Sequence, residues 1–349
     1  MQRRHFLRLS AWATAGAAIA PLVPYRAMAL RGDRIKPARL TAGDAVGIIS
    51  PATAAFLRED VEIVLEAVRA LGLEPVLGEH LFDRYGYLAG QDRDRAADIN
   101  RFFADPAIKA LIPVQGGWGS SRVLPYLDYD LIRENPKILV GFSDITALLM
   151  GITGQTGLVT FHGPNGLSGW RSQEVDMFRR VLFNGEAVTF SNRLAGVDSD
   201  RLMQVSNRTQ TITAGQARGT LVGGNLSVLS GIVGSPYMPD LTGAILFLED
   251  VGESIYRIDR MMTQLALAGV FDNLAGFIFG QCTRCGPDAD YGSLTLEEVV
   301  WDHLEPRGIP AWYGAAIGHL EPLLTLPVGL EVEIDATAAT IQMTESAVT

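Results

Sequence analysis

Short apolar runs alternate with segments of helical periodicity over the first half of the chain. The apolar runs predict buried strands at residues 45–50, 73–77, 108–114 and 138–140. Apolar residues spaced three or four positions apart predict helices at residues 58–72, 92–105 and 144–152. Strands that alternate with helices are typical of a parallel, doubly wound sheet. Because such sheets bind ligands where their strands end, we expect a site in the loops that follow residues 114 and 140.

The second half of the chain has a different pattern. Residues 171–214 lack strong periodicity, and we interpret them as the connection between an N-terminal domain (30–170) and a C-terminal domain (215–349). Beyond them the pattern predicts strands at residues 219–226, 244–248 and 275–279, and a helix at residues 257–267. Residues 329–334 and 339–343 alternate apolar and polar side chains, as half-buried antiparallel strands do.

The first 29 residues have the pattern of a secretion signal. A basic start is followed by a short apolar run and by Ala27-Met28-Ala29, which resembles a signal-peptidase site. The pair Arg3-Arg4, followed by Phe6-Leu7, resembles a twin-arginine signal. We therefore expect export to the periplasm, with no stable membrane span after cleavage. An uncleaved N-terminal anchor is the alternative interpretation.

Composition and charge exclude several classes of protein. With 48% hydrophobic and 19% charged residues, the chain is not mostly disordered. The signal segment contains four of the 29 basic residues and no acidic residue, so the remaining 320 residues carry a net charge of −14. An acidic surface disfavours binding to nucleic acid. Cys282 and Cys285 are too few for a four-cysteine zinc site, and no metal or cofactor is expected. For this C-x-x-C pair a structural role is favoured over redox catalysis, because Gly286-Pro287 continues as a loop.

Ser143 is the first candidate for chemistry. It lies on a turn between a predicted strand and a predicted helix, where a sharp bend would present its hydroxyl to a cleft, as in a nucleophile elbow. The backbone N–H of Asp144, at the start of the helix, would then be placed to bind an oxyanion. The alternative is a serine that only caps the helix.

Two further residues could act with this serine. Glu249 ends an apolar run, and a buried carboxylate needs a partner such as a histidine N–H. A salt bridge to Arg257 or Arg260 is the alternative. His319 follows Gly318 in a segment rich in small residues, which suggests close approach of another chain segment or a ligand. It could equally be a structural histidine. His162 is its competitor.

These segments together resemble the LD-carboxypeptidases, a family of serine peptidases that includes muramoyltetrapeptide carboxypeptidases and microcin C immunity peptidases. The resemblance extends from about Ala42 to Leu330. It rests on the following segments, taken in this order: 43–51, 116–149, Gly223-Gly224-Asn225-Leu226, 245–265, and Gly318-His319 followed by 326–329.

The resemblance implies a fold and a set of roles. The fold is an N-terminal flavodoxin-like domain with a parallel sheet, followed by a smaller, β-rich α/β domain. The nucleophile falls on Ser143, its glutamate on Glu249 and its histidine on His319. Further roles implied for this chain are oxyanion binding by the N–H groups of Asp144 and Gly117, and substrate binding by Gly116, Trp118 and Asn225. Relatives are often homodimers, and their reaction releases terminal D-Ala from a murein tetrapeptide. The family loop usually begins with arginine and has a tyrosine, where this chain has Gln115 and Trp118; this affects the expected substrate contacts more than the chemistry.

Three other functions compete with this interpretation. The first is a microcin-type amide hydrolase of the same family. The second is a periplasmic solute-binding protein, which two α/β domains and an export signal also fit; it would form no covalent serine adduct. The third, an α/β-hydrolase esterase, requires G-x-S-x-G, whereas Ile145 stands two residues after Ser143.

Overall fold

The computed structural model describes residues 34–192, 202–203, 208–287 and 292–349. The signal segment predicted at residues 1–29 lies outside these ranges. The helices of the described part are α1 (Arg58–Ala70), α2 (Asp92–Ala104), α3 (Tyr129–Glu134), α4 (Thr146–Thr156), α5 (Ser172–Leu182), α6 (Leu226–Ile232), α7 (Ile255–Leu267) and α8 (Leu296–Leu304). The strands are β1 (Ala45–Ile49), β2 (Glu74–Leu77), β3 (Ile108–Pro113), β4 (Ile138–Gly141), β5 (Thr160–His162), β6 (Thr189–Ser191), β7 (Gln210–Thr213), β8 (Gln216–Asn225), β9 (Ala244–Val251), β10 (Gly276–Thr283), β11 (Ala311–Tyr313), β12 (Leu326–Val328), β13 (Glu331–Asp335) and β14 (Thr340–Met343). None of the described helices is both long and apolar enough to cross a bilayer.

The first sheet has the strand order of a flavodoxin-like fold. Within the described ranges its order is β12-β5-β4-β3-β1-β2. The strands β1 to β5 are parallel to one another, while β12 pairs with β5 in the antiparallel direction. The order 2-1-3-4-5 is the flavodoxin arrangement, and its ligands bind at the carboxyl ends of the strands. The predicted fold class is thereby confirmed for this sheet.

The second sheet is mixed. Among the described residues its order is β6-β14-β13-β8-β9-β10-β11-β7. The four central strands β8 to β11 are parallel, and the strands on either side of them are antiparallel. The alternating segments at the end of the chain form the antiparallel pair β13 and β14, as predicted.

Helix α4 packs between the two sheets and sets the position of Ser143. Ten of its 11 residues are buried, because it contacts β4 and β5 on one side and β8 and α6 on the other. A single 3₁₀ turn, Ser143–Ile145, precedes it. The helix predicted at residues 144–152 is therefore correct in place, but it begins as 3₁₀ and extends to Thr156.

The predicted connection contains more regular structure than its pattern suggests. The described part of residues 171–214 includes α5, β6 and β7, and the two strands form the opposite edges of the second sheet. A second difference is β12, which lies beyond residue 215 in the chain yet completes the first sheet beside β5.

Candidate active site

Ser143 lies on a sharp turn at the carboxyl end of β4. Its φ is +62°, in the left-handed region, which costs a residue with a Cβ about 1–2 kcal/mol. The preceding residue is held by a side chain, since the Phe142 N–H donates to Asn165 Oδ1 over 3.2 Å. This backbone is that of a nucleophile elbow, where the strained turn presents the hydroxyl outward. The hydroxyl contacts a histidine instead of capping the helix.

Ser143, His319 and Glu249 form one chain of hydrogen bonds. Ser143 Oγ lies 3.0 Å from His319 Nε2, and His319 Nδ1 lies 2.8 Å from Glu249 Oε2. Glu249 ends the apolar part of β9 and is fully buried, whereas the His319 side chain is 19% exposed. The charged partner of Glu249 is thus His319 and neither arginine of the alternative salt bridge: Arg257 lies 3.9 Å from Glu253, and Arg260 lies over the ring of Tyr256 at 5.3 Å.

The buried carboxylate of Glu249 has a second donor besides His319. Burial raises the pKa of Glu249, and the hydrogen bonds from His319 and Asn225 oppose that shift. Asn225 Nδ2 donates to Glu249 Oε1 over 3.2 Å and to Asp250 Oδ1 over 3.1 Å. The neighbouring carboxylate of Asp250 also accepts from the Ser227 N–H over 2.9 Å. These donors supply what an ionised carboxylate needs when it is removed from water.

Asn225 is a buried neighbour of the Glu249 carboxylate. It is 4% exposed, ends β8, and accepts at Oδ1 from the Val228 N–H at the start of α6. It is not among the residues that line the cleft, and a contact of Asn225 with substrate stays a prediction. Its location at a strand end, as a helix-capping residue, is the sequence signal that could have indicated a supporting role.

The segment of His319 approaches Glu249 closely through Gly318. The φ of Gly318 is +127°, and a Cβ there would lie 2.9 Å from Glu249 Oε2, so the position requires glycine. His162, the competing histidine, is buried on β5, and burial lowers its pKa to about 3. Its ring packs against those of Phe142 and Phe247. The histidine that contacts Ser143 is thus His319.

The glycine loop after β3 lies directly against the serine. A Cβ on Gly116 would lie 3.1 Å from Ser143 Cβ and 3.3 Å from the amide nitrogen of Asp144. The backbones of Gly116 and Gly117 line the same cleft as Ser143. The two expected oxyanion donors, the amides of Gly117 and Asp144, therefore belong to segments that meet at the serine.

Two buried charged side chains hold this loop in place. The Ser120 N–H donates to Asp144 Oδ2 over 2.7 Å, and burial raises the pKa of Asp144 against that hydrogen bond. The Arg95 guanidinium is 2% exposed and donates to the carbonyl of Gly119 over 2.9 Å and to that of Pro51. Neither charged side chain was singled out from the sequence. Arg95 also pairs with Asp92 on the same helix, but the backbone groups that the two side chains bind are distant in sequence, and only the fold brings them near.

The cleft at the serine has a volume of about 410 Å³. Its wall is formed by Thr53, Gln115, Gly116, Gly117, Trp118, Phe142, Ser143, Asn165, Leu167, Ser168 and His319. The indole of Trp118 is 66% exposed at the mouth, where it meets Tyr87 edge to face. Gln115, at the position of the family arginine, donates through Nε2 to the carbonyl of Ala54 over 3.0 Å. None of the described residues that line the cleft is a lysine or an arginine.

A possible cation-binding group lies away from the cleft. The ligand atoms of His80, Asp83 and Asp94 lie within 4.8 Å of one another. His80 Nδ1 is 2.7 Å from Asp83 Oδ2, and this hydrogen bond raises the pKa of His80. The ion pair between His80 and Asp83 accounts for their close approach.

A serine that is hydrogen-bonded to a histidine, which is hydrogen-bonded in turn to a buried carboxylate, is the arrangement of a serine hydrolase. Comparison with known proteins gives the family. Residues 46–163 match the family model of the LD-carboxypeptidase N-terminal domain, and residues 218–334 match that of the C-terminal domain. The chain belongs to the LD-carboxypeptidase family, and it is a serine-type carboxypeptidase.

Individual relatives cover almost the whole chain. A probable murein peptide carboxypeptidase of Bacillus subtilis is 36% identical over 309 residues, which is 87% of this chain and 93% of the relative. The solved structure of the microcin C7 self-immunity protein MccF in complex with aspartyl sulfamoyl adenosine has a TM-score of 0.80 at 30% identity, covering 90% of this chain and 100% of that one. A muramoyltetrapeptide carboxypeptidase from Oxalobacter formigenes has a TM-score of 0.72 at 26% identity, covering 86% and 97%.

Proposed function

We propose that this protein hydrolyses the L,D-peptide bond that holds the terminal D-Ala of a murein tetrapeptide. The observation that carries the proposal is the hydrogen-bonded series Ser143, His319 and Glu249 at the floor of an open cleft. The names of the relatives from Bacillus subtilis and Oxalobacter formigenes support the choice of a murein peptide.

The proposed reaction passes through an acyl-enzyme. Ser143 Oγ attacks the scissile carbonyl while His319 Nε2 takes the hydroxyl proton, and Glu249 stabilises the imidazolium through Nδ1. The amides of Asp144 and Gly117 bind the oxyanion. His319 then gives its proton to the departing amine, so that D-Ala leaves and an ester to Ser143 remains. A water molecule, deprotonated by His319, hydrolyses this ester and restores the serine.

The charge of the cleft adds a condition on the substrate. A C-terminal D-Ala carries a carboxylate, and the described cleft wall offers it neutral donors, among them Thr53 and Gln115. Neutral hydrogen bonds to a carboxylate are weaker than a bidentate arginine contact. We therefore expect a modest affinity for the terminal carboxylate. Compared with an enzyme that has arginine at position 115, KM should be higher, while kcat should be lowered less.

A second candidate is amide hydrolysis on a microcin-type substrate. The likeness to MccF bound to aspartyl sulfamoyl adenosine favours it. In such a compound an aspartyl group supplies the scissile carbonyl, and a sulfamoyl nucleoside takes the place of D-Ala as the leaving group. The same serine chemistry would apply, and only the binding surface beyond Trp118 would differ.

Our proposals for the location and the oligomeric state of the protein are those that the sequence suggests. We propose that residues 1–29 direct export to the periplasm, where the protein would meet murein peptides directly, and that it works as a homodimer. Detection of protein beginning near residue 30 in a periplasmic extract would support export. Retention in the cytoplasm with residues 1–29 intact would refute it, and light scattering gives the oligomeric state.

The decisive experiment for the reaction is mass spectrometry of a tetrapeptide incubated with the protein. We expect loss of D-Ala with the wild type and none with Ser143→Ala. A tetrapeptide ending in L-Ala is the matched control substrate and should remain intact. Hydrolysis of aspartyl sulfamoyl adenosine in place of the tetrapeptide would favour the second candidate, and reversible binding of the tetrapeptide without cleavage would indicate a solute-binding protein.

A further inference from the structure

The chain segment that carries His319 runs beside the end of β10. The Gln281 N–H donates to the carbonyl of Ile317 over 2.8 Å. Two residues further on, the hydroxyl of Thr283 donates to the carbonyl oxygen of His319 itself, also over 2.8 Å. The histidine is thus held at its ring by Glu249 and at its backbone by Thr283.

Thr283 lies between the two cysteines of the chain. Cys282 and Cys285 are joined by a disulfide, with their Cα atoms 5.4 Å apart. Thr283 is the last residue of β10 and pairs with Val251 of β9. The next residue, Arg284, has a φ of +58°, a conformation that residues with a Cβ avoid unless the surrounding structure imposes it. The disulfide closes this turn together with a hydrogen bond from the Cys285 N–H to the carbonyl of Cys282 over 3.2 Å.

We propose that Thr283 is a positioning residue for His319, and that the Cys282–Cys285 disulfide maintains this contact. The idea rests on the proposed function. His319 must keep Nε2 at Ser143 and Nδ1 at Glu249 together, and small displacements of a reacting group lower a rate steeply. A hydrogen bond to the carbonyl of the same residue restricts such displacement.

Reduction of the disulfide should therefore slow the enzyme. A dithiol gives two electrons and two protons: the bond between the two sulfur atoms breaks, each cysteine gains a thiol hydrogen, and the dithiol becomes a cyclic disulfide. Cys282 and Cys285 are only partly buried, and Arg284 between them is exposed, so a small dithiol can reach the bond. Because the chain has two cysteines in all, a reductant has no other disulfide to act on.

A purely stabilising role of the disulfide makes a different prediction. Its cysteines are three positions apart, and closing so short a loop constrains the unfolded chain less than closing a long one. We therefore expect the local effect on Thr283 to dominate over the effect on global stability.

The test compares three threonine variants on the tetrapeptide. Thr283→Val removes the hydroxyl and keeps the shape; it should lower kcat by about 3- to 10-fold, the value of one hydrogen bond, with KM almost unchanged. Thr283→Ser keeps the hydroxyl and should restore kcat. Thr211→Val is the matched control, because it removes a hydroxyl bond to a backbone carbonyl, that of Ala336 at 3.0 Å, on the edge strand β7, and it should leave kcat unchanged.

The same enzymes are then assayed after treatment with dithiothreitol. The wild type should lose activity by a factor like that of Thr283→Val, whereas Thr283→Val should lose little more. The double variant Cys282→Ser/Cys285→Ser should be slow with or without reductant. A normal kcat for Thr283→Val, a slow Thr283→Ser, or equal inhibition of the wild type and Thr283→Val would each overturn the proposal.

A second readout keeps this test independent of the substrate. A fluorophosphonate labels an activated serine, and its rate of reaction with Ser143 depends on the placement of His319. If the wild type labels but does not cleave the tetrapeptide, the proposed substrate is wrong, and the labelling rates of the Thr283 variants still decide the role of Thr283. If the wild type does not label either, both proposals fail.

Discussion

Replacing Glu249 by glutamine removes the charge of this carboxylate and keeps its volume. Both groups that face it are donors: His319 Nδ1 at 2.8 Å from Oε2 and Asn225 Nδ2 at 3.2 Å from Oε1. A glutamine can offer one accepting oxygen, and its NH₂ must face the other donor. His319 can relieve this conflict by moving its proton from Nδ1 to Nε2. In that tautomer Nε2 can no longer accept the proton of Ser143.

The size of the effect follows from this change of tautomer. The corresponding replacement in a serine protease triad, aspartate by asparagine, lowers kcat by about 10⁴, which is about 5 kcal/mol in the barrier. We expect a loss of about 10³ to 10⁴ in kcat for Glu249→Gln. KM should change little, because Glu249 is fully buried behind His319 and does not line the cleft.

The stability of the variant relative to the wild type should increase with pH. Burial raises the pKa of Glu249, so the folded protein holds this proton more tightly than the unfolded chain does. That contribution to stability is complete below the unfolded-state pKa of about 4.3 and is lost as the pH rises through the higher folded-state pKa. Glutamine does not titrate, so Glu249→Gln should gain thermal stability relative to the wild type as the pH rises above about 4.3.

Two measurements check this reasoning. D-Ala release gives kcat and KM for both proteins, and circular dichroism gives Tm at several pH values. A Glu249→Gln variant with kcat within tenfold of the wild type would show that the carboxylate does not fix the histidine tautomer. A variant whose Tm falls relative to the wild type as the pH rises would show that burial does not dominate the pKa of Glu249.

Three further predictions concern other residues of the active site. Ser143→Ala should lower kcat by about four or more orders of magnitude. Ser143→Gly should be equally inactive, but its free energy of unfolding in a urea titration should be about 1 kcal/mol higher than that of Ser143→Ala, because glycine accepts the left-handed turn. Gly116→Ala should lower kcat by about 10- to 100-fold by pressing on Ser143; Gly231→Ala, where a Cβ meets nothing within 4 Å, is the matched control and should keep full activity. Asn225→Ala should cost about 1–3 kcal/mol in urea unfolding, because Glu249 and Asp250 lose a shared donor, and unchanged stability would refute that role.

Sequence patterns predicted the elements that form the centres of the two sheets. Strands such as β3 and β9 are continuous apolar runs because they are buried on both faces. The short strands β5, β6, β7, β11 and β12 were not predicted. Each has three or four residues, and they are stabilised by partners distant in sequence, which a local pattern does not record.

Local sequence patterns likewise indicated some of the active-site residues and missed others. Local patterns singled out Ser143, Glu249 and His319, but each had an ordinary structural explanation, and the resemblance to a family was needed to connect them. Ser143 and His319 are 176 positions apart, so no spacing rule could predict their hydrogen bond. The supporting groups Arg95 and Thr283 were missed because they act on backbone carbonyls, which leave no trace in side-chain patterns.

Strand β12 restricts how the cleft can open. His319 lies between β11, in the second sheet, and β12, whose Leu326 pairs with His162 in the first sheet. A clamshell rotation of one sheet away from the other would have to stretch the few residues between His319 and Leu326 or break the pairing of β12 with β5. In hinge motions a few loop or element-terminal residues absorb large changes in φ and ψ, whereas this segment begins at His319, whose ring is hydrogen-bonded to Glu249 and Ser143. Ligand exchange in this protein should therefore proceed through a mouth of fixed width, which makes the dimensions of that mouth a filter on which peptides can enter.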